Sequence, residues 1–215
     1  MTVTLTFLCA TAPAPLTDTR LGDGPQSKRA VRAAAAAIAA LPPHSLAVRA
    51  PSTRCALTAY SLGLDTTPEP GLRDLDYGKW YGSTVGDIVA DDPFGLSAWL
   101  TDPDATPHGG ESVRELCRRT AHWLSSVPTD AGHVLAVTEP AIIRASLVHA
   151  MAAPARAFWH LDVPSSVLSL TSRGDRWSWS TRLGYIAPVQ RWPSDVERSP
   201  ADRIDRDESL VSLRS

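Results

Sequence analysis

The stretch "HVLAVTEPAIIRASLVHAMA", residues 133–152, is a strand-like segment followed at once by a helix-like one. Its first six residues include four consecutive apolar side chains, a pattern typical of a β-strand buried on both faces. Pro140 then stands at the first turn of the next segment, where a helix has no use for the N–H that proline lacks. The stretch therefore predicts a buried parallel strand that leads directly into an α-helix.

The same alternation of strands and helices continues on both sides of this unit. Two more buried strands are predicted at "VTLTFL" (3–8) and "SLAVRA" (45–50), and two antiparallel strands at "SVLSLTS" (166–172) and "RWSWSTRLG" (176–184). Further helices are predicted at residues 25–41, 52–63, 84–90, 93–100 and 110–127. We therefore predict a three-layer α/β fold, with a mostly parallel sheet, helices on both faces and an antiparallel hairpin at one edge.

The length of 215 residues suits one domain with a substantial core. After about Ala187 the chain becomes polar and is interrupted by prolines, so it offers little apolar surface to offset the entropy of ordering. We predict a folded domain over residues 1–187, with a cap inserted at about residues 75–108. Residues 188–215 are predicted to form a disordered polar tail.

Net charge and cysteine content argue against several classes of protein. A formal net charge of −2 gives no electrostatic reason to bind nucleic acid or an anionic membrane. The three cysteines, Cys9, Cys55 and Cys117, are widely spaced and form no CxxC motif, which argues against a disulfide scaffold or a structural zinc site. The N-terminus shows no signal-peptide pattern. We expect a cytoplasmic protein without metal or cofactor, whose partner is a small molecule, and the sequence indicates no oligomeric state.

The loop after the first strand is chemically quiet, although functional residues of parallel α/β sheets usually lie at such strand ends. It begins with Cys9, Ala10 and Thr11, and among these only Cys9 carries a strong nucleophile. A cysteine-based phosphatase needs an arginine six residues after its cysteine, and that position is Pro15 here. Cys9 is therefore better explained as a small buried residue.

Three other segments carry a resemblance to a known family. They are "RAPSTRCALTAY" (49–60), "LRDLDYGKWYG" (72–82) and "HGGES" (108–112). With the two strand ends, their order and spacing resemble the histidine phosphatase superfamily, also called phosphoglycerate-mutase-like. The resemblance covers about residues 3–184 and implies that family's α/β fold.

The resemblance also implies where the family's active-site residues fall. The family attacks phosphorus with a histidine, holds the phosphoryl group with two arginines and a second histidine, and protonates the leaving group with a carboxylic acid. In this chain the first arginine is replaced by Cys9, the nucleophilic histidine by Ala10 and the second histidine by Glu139, whereas the second arginine is Arg54 and the acid is Asp74. No histidine precedes His44, so no shift of the first strand restores the nucleophile.

We therefore predict a degenerate family member, a pseudophosphatase that is unable to form phosphohistidine. Its pocket would bind a small phosphorylated or cationic ligand, or serve an interaction role. An alternative is a repurposed enzyme in which Glu139 and Asp74 act as base and acid and Arg54 holds an anionic group. A third possibility is residual phosphomonoesterase activity.

The candidate ligand-binding residues are Cys9, Ala10, Thr11, Arg54, Asp74, His108 and Glu139, and the candidates for catalysis are Asp74 and Glu139. Structural alternatives stay open for several of them. Asp74 and Glu139 would close the pocket if they formed ion pairs with Arg54. His108 is expected either at the mouth of the pocket or as a solvated loop residue. Glu111 is expected to complement the dipole of the helix that follows it.

Overall fold

The computed structural model describes residues 2–10, 18–25, 28–39, 43–163, 167–173 and 176–180. Strands β1 to β6 are Thr2–Cys9, Leu46–Arg49, Thr67–Pro68, His133–Thr138, Val167–Arg173 and Arg176–Ser180. Helices α1 to α6 are Lys28–Ile38, Thr53–Ser61, Val85–Asp91, Pro93–Thr101, Val113–Ser126 and Pro140–Ala150. The predicted alternation of strands and helices is confirmed within these residues. A 3₁₀ helix at Ala155–His160 was not predicted.

The strands form one sheet in the order β3-β2-β4-β1-β5-β6. The pairs β2/β3, β2/β4 and β1/β4 are parallel, while β1/β5 and β5/β6 are antiparallel. Consecutive side chains are buried along residues 5–9 of β1 and 134–138 of β4, so both faces of the sheet are covered. The predicted three-layer α/β class, mostly parallel with an antiparallel edge, is therefore confirmed.

The register brings the carboxyl ends of three parallel strands to the same edge of the sheet. Cys9 of β1 lies opposite Thr138 of β4, and Arg49 of β2 lies opposite Val137. The backbone N–H of Ala10 continues this ladder by donating to the carbonyl of Thr138 at 2.9 Å. Helices α2 and α6 begin just beyond this edge, which places their first residues side by side.

Local capping explains where the helices that face this edge begin. Ser52 caps α2 as predicted, because its hydroxyl accepts the backbone N–H of Cys55 at 3.2 Å. Pro140 occupies the first turn of α6, also as predicted. Helix α5 begins with a capping box between Ser112 and Glu115. The carboxylate of this capping box is Glu115, and Glu111, which was expected to complement the helix dipole, directly precedes the cap residue Ser112.

The region predicted as a cap contains α3 and α4, and the chain crosses itself where this region begins and ends. The backbone N–H of Lys79 donates to the carbonyl of His108 at 2.9 Å. A Cβ on Gly78 would collide with that same carbonyl, and a Cβ on Gly110 would collide with the carbonyl of Asp76. Only glycine permits two backbone segments to approach so closely. The predicted tail at residues 188–215 and the turn of the predicted hairpin lie outside the described residues.

Within the described part of the chain, no helix combines the length and the apolar character that crossing a bilayer requires.

Candidate functional site

A buried ion pair between Arg54 and Glu139 lies just beyond the strand ends. The Nε of Arg54 donates to both carboxylate oxygens of Glu139 at 3.2 Å, and its Nη2 donates to Oε2 at 2.7 Å. The two side chains are only 9% and 1% exposed. Nη2 also donates to the carbonyl of Gly22 at 3.0 Å. Glu139 further accepts the hydroxyl of Ser52 at 3.0 Å and the thiol of Cys55 at 3.4 Å.

The position of this pair follows from the starts of two helices. Arg54 lies in the first turn of α2, and Glu139 is the residue just before Pro140 at the start of α6. Burial by itself lowers the pKa of the Arg54 guanidinium, but the adjacent Glu139 carboxylate outweighs burial and raises the pKa. The Arg54 guanidinium therefore stays charged, and its hydrogen bonds are directed mainly at Glu139 rather than at open space.

A cavity of about 290 Å³ lies above this pair. Its described walls include the carboxylates of Asp23, Asp74, Asp76 and Glu139, together with the side chains of Ser52 and Tyr81. No lysine, arginine or histidine is among the described lining residues. The interior therefore has an excess of negative charge, the reverse of a pocket built to bind phosphate.

Asp74 is a half-buried wall residue of this cavity with an unusual proton affinity. Its Oδ1 accepts the backbone N–H of Leu75 at 2.9 Å. Desolvation and, after it, the negative charge of Glu139 raise the pKa of Asp74 to about 7, although Arg54 and Arg119 act in the opposite direction. Asp74 is therefore a carboxyl group that gains or loses its proton near neutral pH.

Asp23 is a site residue that the sequence did not reveal. Its Oδ2 accepts the backbone N–H of Thr53 at 2.8 Å, and its Oδ1 accepts the backbone N–H of Arg54 at 3.1 Å. Burial opposes ionisation, but these N–H donors at the start of α2 lower the pKa of Asp23 overall. Nothing in the sequence near Asp23 indicates this role, because the contact is made across thirty residues of chain.

The residues at the end of β1 are buried and do not line the cavity in the described structure. Cys9 is 3% exposed and Ala10 is fully buried. Neither is among the described lining residues, whereas Asp74 and Glu139 are. Thr11 lies outside the described residues. The structure thus brings together Arg54, Asp74 and Glu139 from the predicted set, and it leaves Cys9 and Ala10 beneath them as packing.

His108 is buried rather than solvated, so the expectation of a solvated loop residue was wrong, and His108 is not among the described residues that line the cavity. It is 2% exposed, and its ring lies 5.1 Å from Trp80 and 5.9 Å from Trp99, measured between ring centroids. Its Nδ1 accepts the backbone N–H of Gly110 at 3.0 Å. Burial lowers the pKa of His108, which favours the neutral ring. His108 therefore belongs to an aromatic cluster that packs the cap.

A second arginine–glutamate pair holds the loop that carries Asp74. Arg119 donates from Nε and Nη2 to the two carboxylate oxygens of Glu111, both at 2.9 Å. Its Nη1 donates to the carbonyls of Gly71 and Arg73 at 2.9 and 3.0 Å. We name this arrangement the loop clamp. It holds the backbone that leads up to Asp74, and Nη2 also donates to the carbonyl of Asp74 itself at 3.4 Å, which positions that residue at the cavity.

Among the described residues, no three histidine, cysteine or acidic side chains are grouped so that they could hold a metal ion.

Comparisons with known proteins point to one family. The family model described as "Histidine phosphatase superfamily (branch 1)" matches residues 16–182. A bifunctional protein of Mycobacterium tuberculosis is 29% identical over 114 residues, which are 52% of this chain and 31% of that protein. A glucosyl-3-phosphoglycerate phosphatase of the same species is 29% identical over 146 residues, 65% of each chain. This chain therefore spans less than two thirds of the length of either relative.

A solved structure agrees with the fold. YhfR of Bacillus stearothermophilus superposes with a TM-score of 0.72 at 16% sequence identity, over 84% of this chain and 96% of the other. At that identity the likeness concerns the arrangement of the sheet and helices.

Proposed function

Because the chain belongs to the histidine phosphatase superfamily, we propose that it is a member without phosphohistidine chemistry, whose pocket binds a small molecule. The family resemblance assigns the nucleophile to Ala10 and the second histidine to Glu139. Alanine has no atom that can attack phosphorus, and a carboxylate cannot donate hydrogen bonds to phosphoryl oxygens. The proteins named phosphatases among its relatives share the fold, and their reactions are not transferred to this chain.

The observation that carries the proposal is the pairing of Arg54 with Glu139. Three contacts of 2.7–3.2 Å occupy the guanidinium that the family uses to hold phosphate. A phosphate placed about 4 Å from the Glu139 carboxylate would be repelled by roughly 4 kcal/mol for each unit of its charge, at an effective dielectric constant of about 20. Phosphate would have to displace Glu139 from Arg54 before it could bind, and the displaced carboxylate would remain in the same enclosed space.

An assay with p-nitrophenyl phosphate tests the proposal. We expect the wild-type chain to show no turnover above buffer between pH 5 and pH 8, and inorganic phosphate to give no binding heat at millimolar concentration in calorimetry. Arg54→Ala is the diagnostic variant. Arg114→Ala, which removes an arginine from an exposed ion pair with Asp104, is its matched control. Turnover that is lost in Arg54→Ala and kept in Arg114→Ala would contradict the proposal and support residual phosphomonoesterase activity.

One observation favours the alternative of a repurposed enzyme. A carboxyl group with a pKa of about 7, as at Asp74, suits general acid–base catalysis at neutral pH. Glu139 suits a base less well, because both of its carboxylate oxygens already accept hydrogen bonds from Arg54. Hydrolysis of a non-phosphate substrate that fails in Asp74→Asn and in Glu139→Gln, but persists in Asp65→Asn at an exposed loop position, would favour this alternative.

A further inference from the structure

We propose that the 290 Å³ cavity binds a small organic cation, with the ammonium group of the ligand bound to Asp74 and held between the surrounding carboxylates. This inference rests on the proposed function, because it assumes that the pocket is free of phosphoryl chemistry, and it names the ligand class that such a pocket would take.

The arginine beside the cavity is not free to hold an anion. Arg54 is the cation expected to attract an anionic ligand, but its hydrogen bonds go to Glu139 and to the carbonyl of Gly22. Its side chain is only 9% exposed, and it is not among the described residues that line the cavity. An anionic ligand would therefore meet carboxylates before it met a guanidinium.

The carboxyl group of Asp74 can accept more hydrogen bonds than the structure supplies. Its Oδ1 accepts one backbone N–H, and its Oδ2 accepts no hydrogen bond from any described residue. The carboxyl group is desolvated by the protein around it. A half-buried carboxylate with one described donor and no cation in hydrogen-bond contact has acceptor capacity left over, and a ligand ammonium would supply up to three N–H donors at this position.

The other side chains of the cavity wall also suit a cation. Asp23 and Asp76 line the same cavity, and the exposed ring of Tyr81 stands at its rim. The negative face of an aromatic ring attracts a cation within about 6 Å of its centre. The volume of about 290 Å³ is small for a ligand pocket and suits a molecule with a single ring or a short chain.

Proton binding and cation binding at Asp74 exclude each other. The charged or titratable groups that act on Asp74 or share its cavity are Glu139 from the start of α6, Arg54 from α2, Arg119 from α5, Tyr77 and Asp76 from its own loop, and Asp23. With a pKa of about 7, the ionised fraction of Asp74 rises from about one tenth at pH 6 to about nine tenths at pH 8. Affinity for a permanently protonated amine should rise about tenfold over that interval.

Three probes of similar shape and different charge test this inference on the full chain: benzylamine, benzyl alcohol and phenyl phosphate. By calorimetry we expect benzylamine to bind at pH 8, benzyl alcohol to bind at least tenfold more weakly and phenyl phosphate not to bind. Benzylamine binding should weaken about tenfold at pH 6. It should be lost in Asp74→Asn and kept in Asp65→Asn, which removes the same charge from an exposed loop.

The inference is overturned if phenyl phosphate binds as tightly as benzylamine, if benzylamine binds Asp74→Asn as well as the wild type, or if none of the probes binds. Benzylamine binding that does not change between pH 6 and pH 8 also overturns it, and this readout needs no variant. Failure of the proposed function itself has a different signature, which is turnover of p-nitrophenyl phosphate.

Discussion

Two arginine–glutamate pairs lie near the same loop, residues 70–76, and their arginines have very different surroundings. In the loop clamp, Arg119 donates to Glu111 and also to the carbonyls of Gly71 and Arg73, and its side chain is 19% exposed. The side chain of Arg54 is 9% exposed and depends on Glu139 for three of its four described hydrogen bonds. Arg119 in the clamp thus has several backbone acceptors besides its glutamate and is partly exposed to solvent, whereas Arg54 has Glu139 as its main acceptor.

The two pairs therefore differ in what each arginine loses when its glutamate is removed. An arginine in the position of Arg54 serves the family as an anion-binding group according to the resemblance, and here a single glutamate neutralises it. Such a pair is stable only while both members are present, since a buried charge without a partner is far more costly than no charge. The clamp has no such dependence, because backbone carbonyls cannot be removed by substitution.

The largest effect is expected for Glu139→Ala. It leaves the Arg54 guanidinium buried with one described acceptor, the carbonyl of Gly22, so the free energy of unfolding should fall by about 3–5 kcal/mol. The urea-unfolding midpoint at pH 7 measures this change. The double variant Arg54→Met/Glu139→Leu removes both charges and should recover most of the loss. A Glu139→Ala protein as stable as the wild type would show that Arg54 finds another partner.

A smaller loss is expected for Glu111→Ala in the clamp. Arg119 keeps its bonds to the carbonyls of Gly71 and Arg73 and retains some contact with solvent. The free energy of unfolding should fall by about 1.5–3 kcal/mol, which is the contribution of hydrogen bonds to a charged group. The same urea titration measures it. If Glu111→Ala lowers the free energy of unfolding as much as Glu139→Ala does, then Arg119 depends on its glutamate as strongly as Arg54 does, and the contrast between the two pairs is wrong.

The smallest expected effect is a change with pH in the free energy of unfolding, caused by Asp74. Its pKa is about 7 in the folded chain and about 3.9 in an unfolded one, so the unfolded state releases the proton first as pH rises. The group therefore favours the folded state below pH 4, and this contribution is lost as pH rises through 7. Between those values the free energy of unfolding of the wild type, minus that of Asp74→Asn, should fall by at most about 1.4 kcal/mol per pH unit.

Taking the difference between the two proteins removes the pH dependence of groups that behave oppositely, such as Asp23, whose pKa is lowered by folding. Asp65→Asn serves as the control for charge alone, since this residue is exposed. A wild-type minus Asp74→Asn difference that is constant from pH 4 to pH 8 would mean that Asp74 is not desolvated in solution.

The fold could be predicted because burial on both faces of a parallel sheet leaves continuous apolar runs in the sequence. β1 and β4 carry such runs, and Ser52 and Pro140 mark the helices that follow β2 and β4 by local capping rules. The meeting of Arg54 with Glu139 was one of the alternatives that the sequence left open, because parallel strand ends share an edge. The sequence also grouped Asp74 with Arg54, but no hydrogen bond joins these two side chains in the described structure.

The errors concern contacts between segments that are distant along the chain. His108 stands before two glycines and has the local pattern of a solvated loop, but Trp80 and Trp99 from other parts of the cap enclose it. Asp23 has no local pattern at all, and its role appears only when its carboxylate meets the start of α2. Ligand binding by Cys9, Ala10, Thr11 and the cavity residues stays a prediction, as does the tail at residues 188–215.

The crossing at Gly78 and Gly110 ties together the two ends of the segment predicted as a cap. Because the outgoing and returning backbones touch there, the cap between them is a closed loop whose two ends are already joined by the main domain. The entropy of closing such a loop grows only with the logarithm of its length, so a change in its length adds little entropic cost. Exchange of this segment would instead be limited by its packing on the rest of the domain, as where Trp99 meets Trp159 with ring centroids 4.1 Å apart.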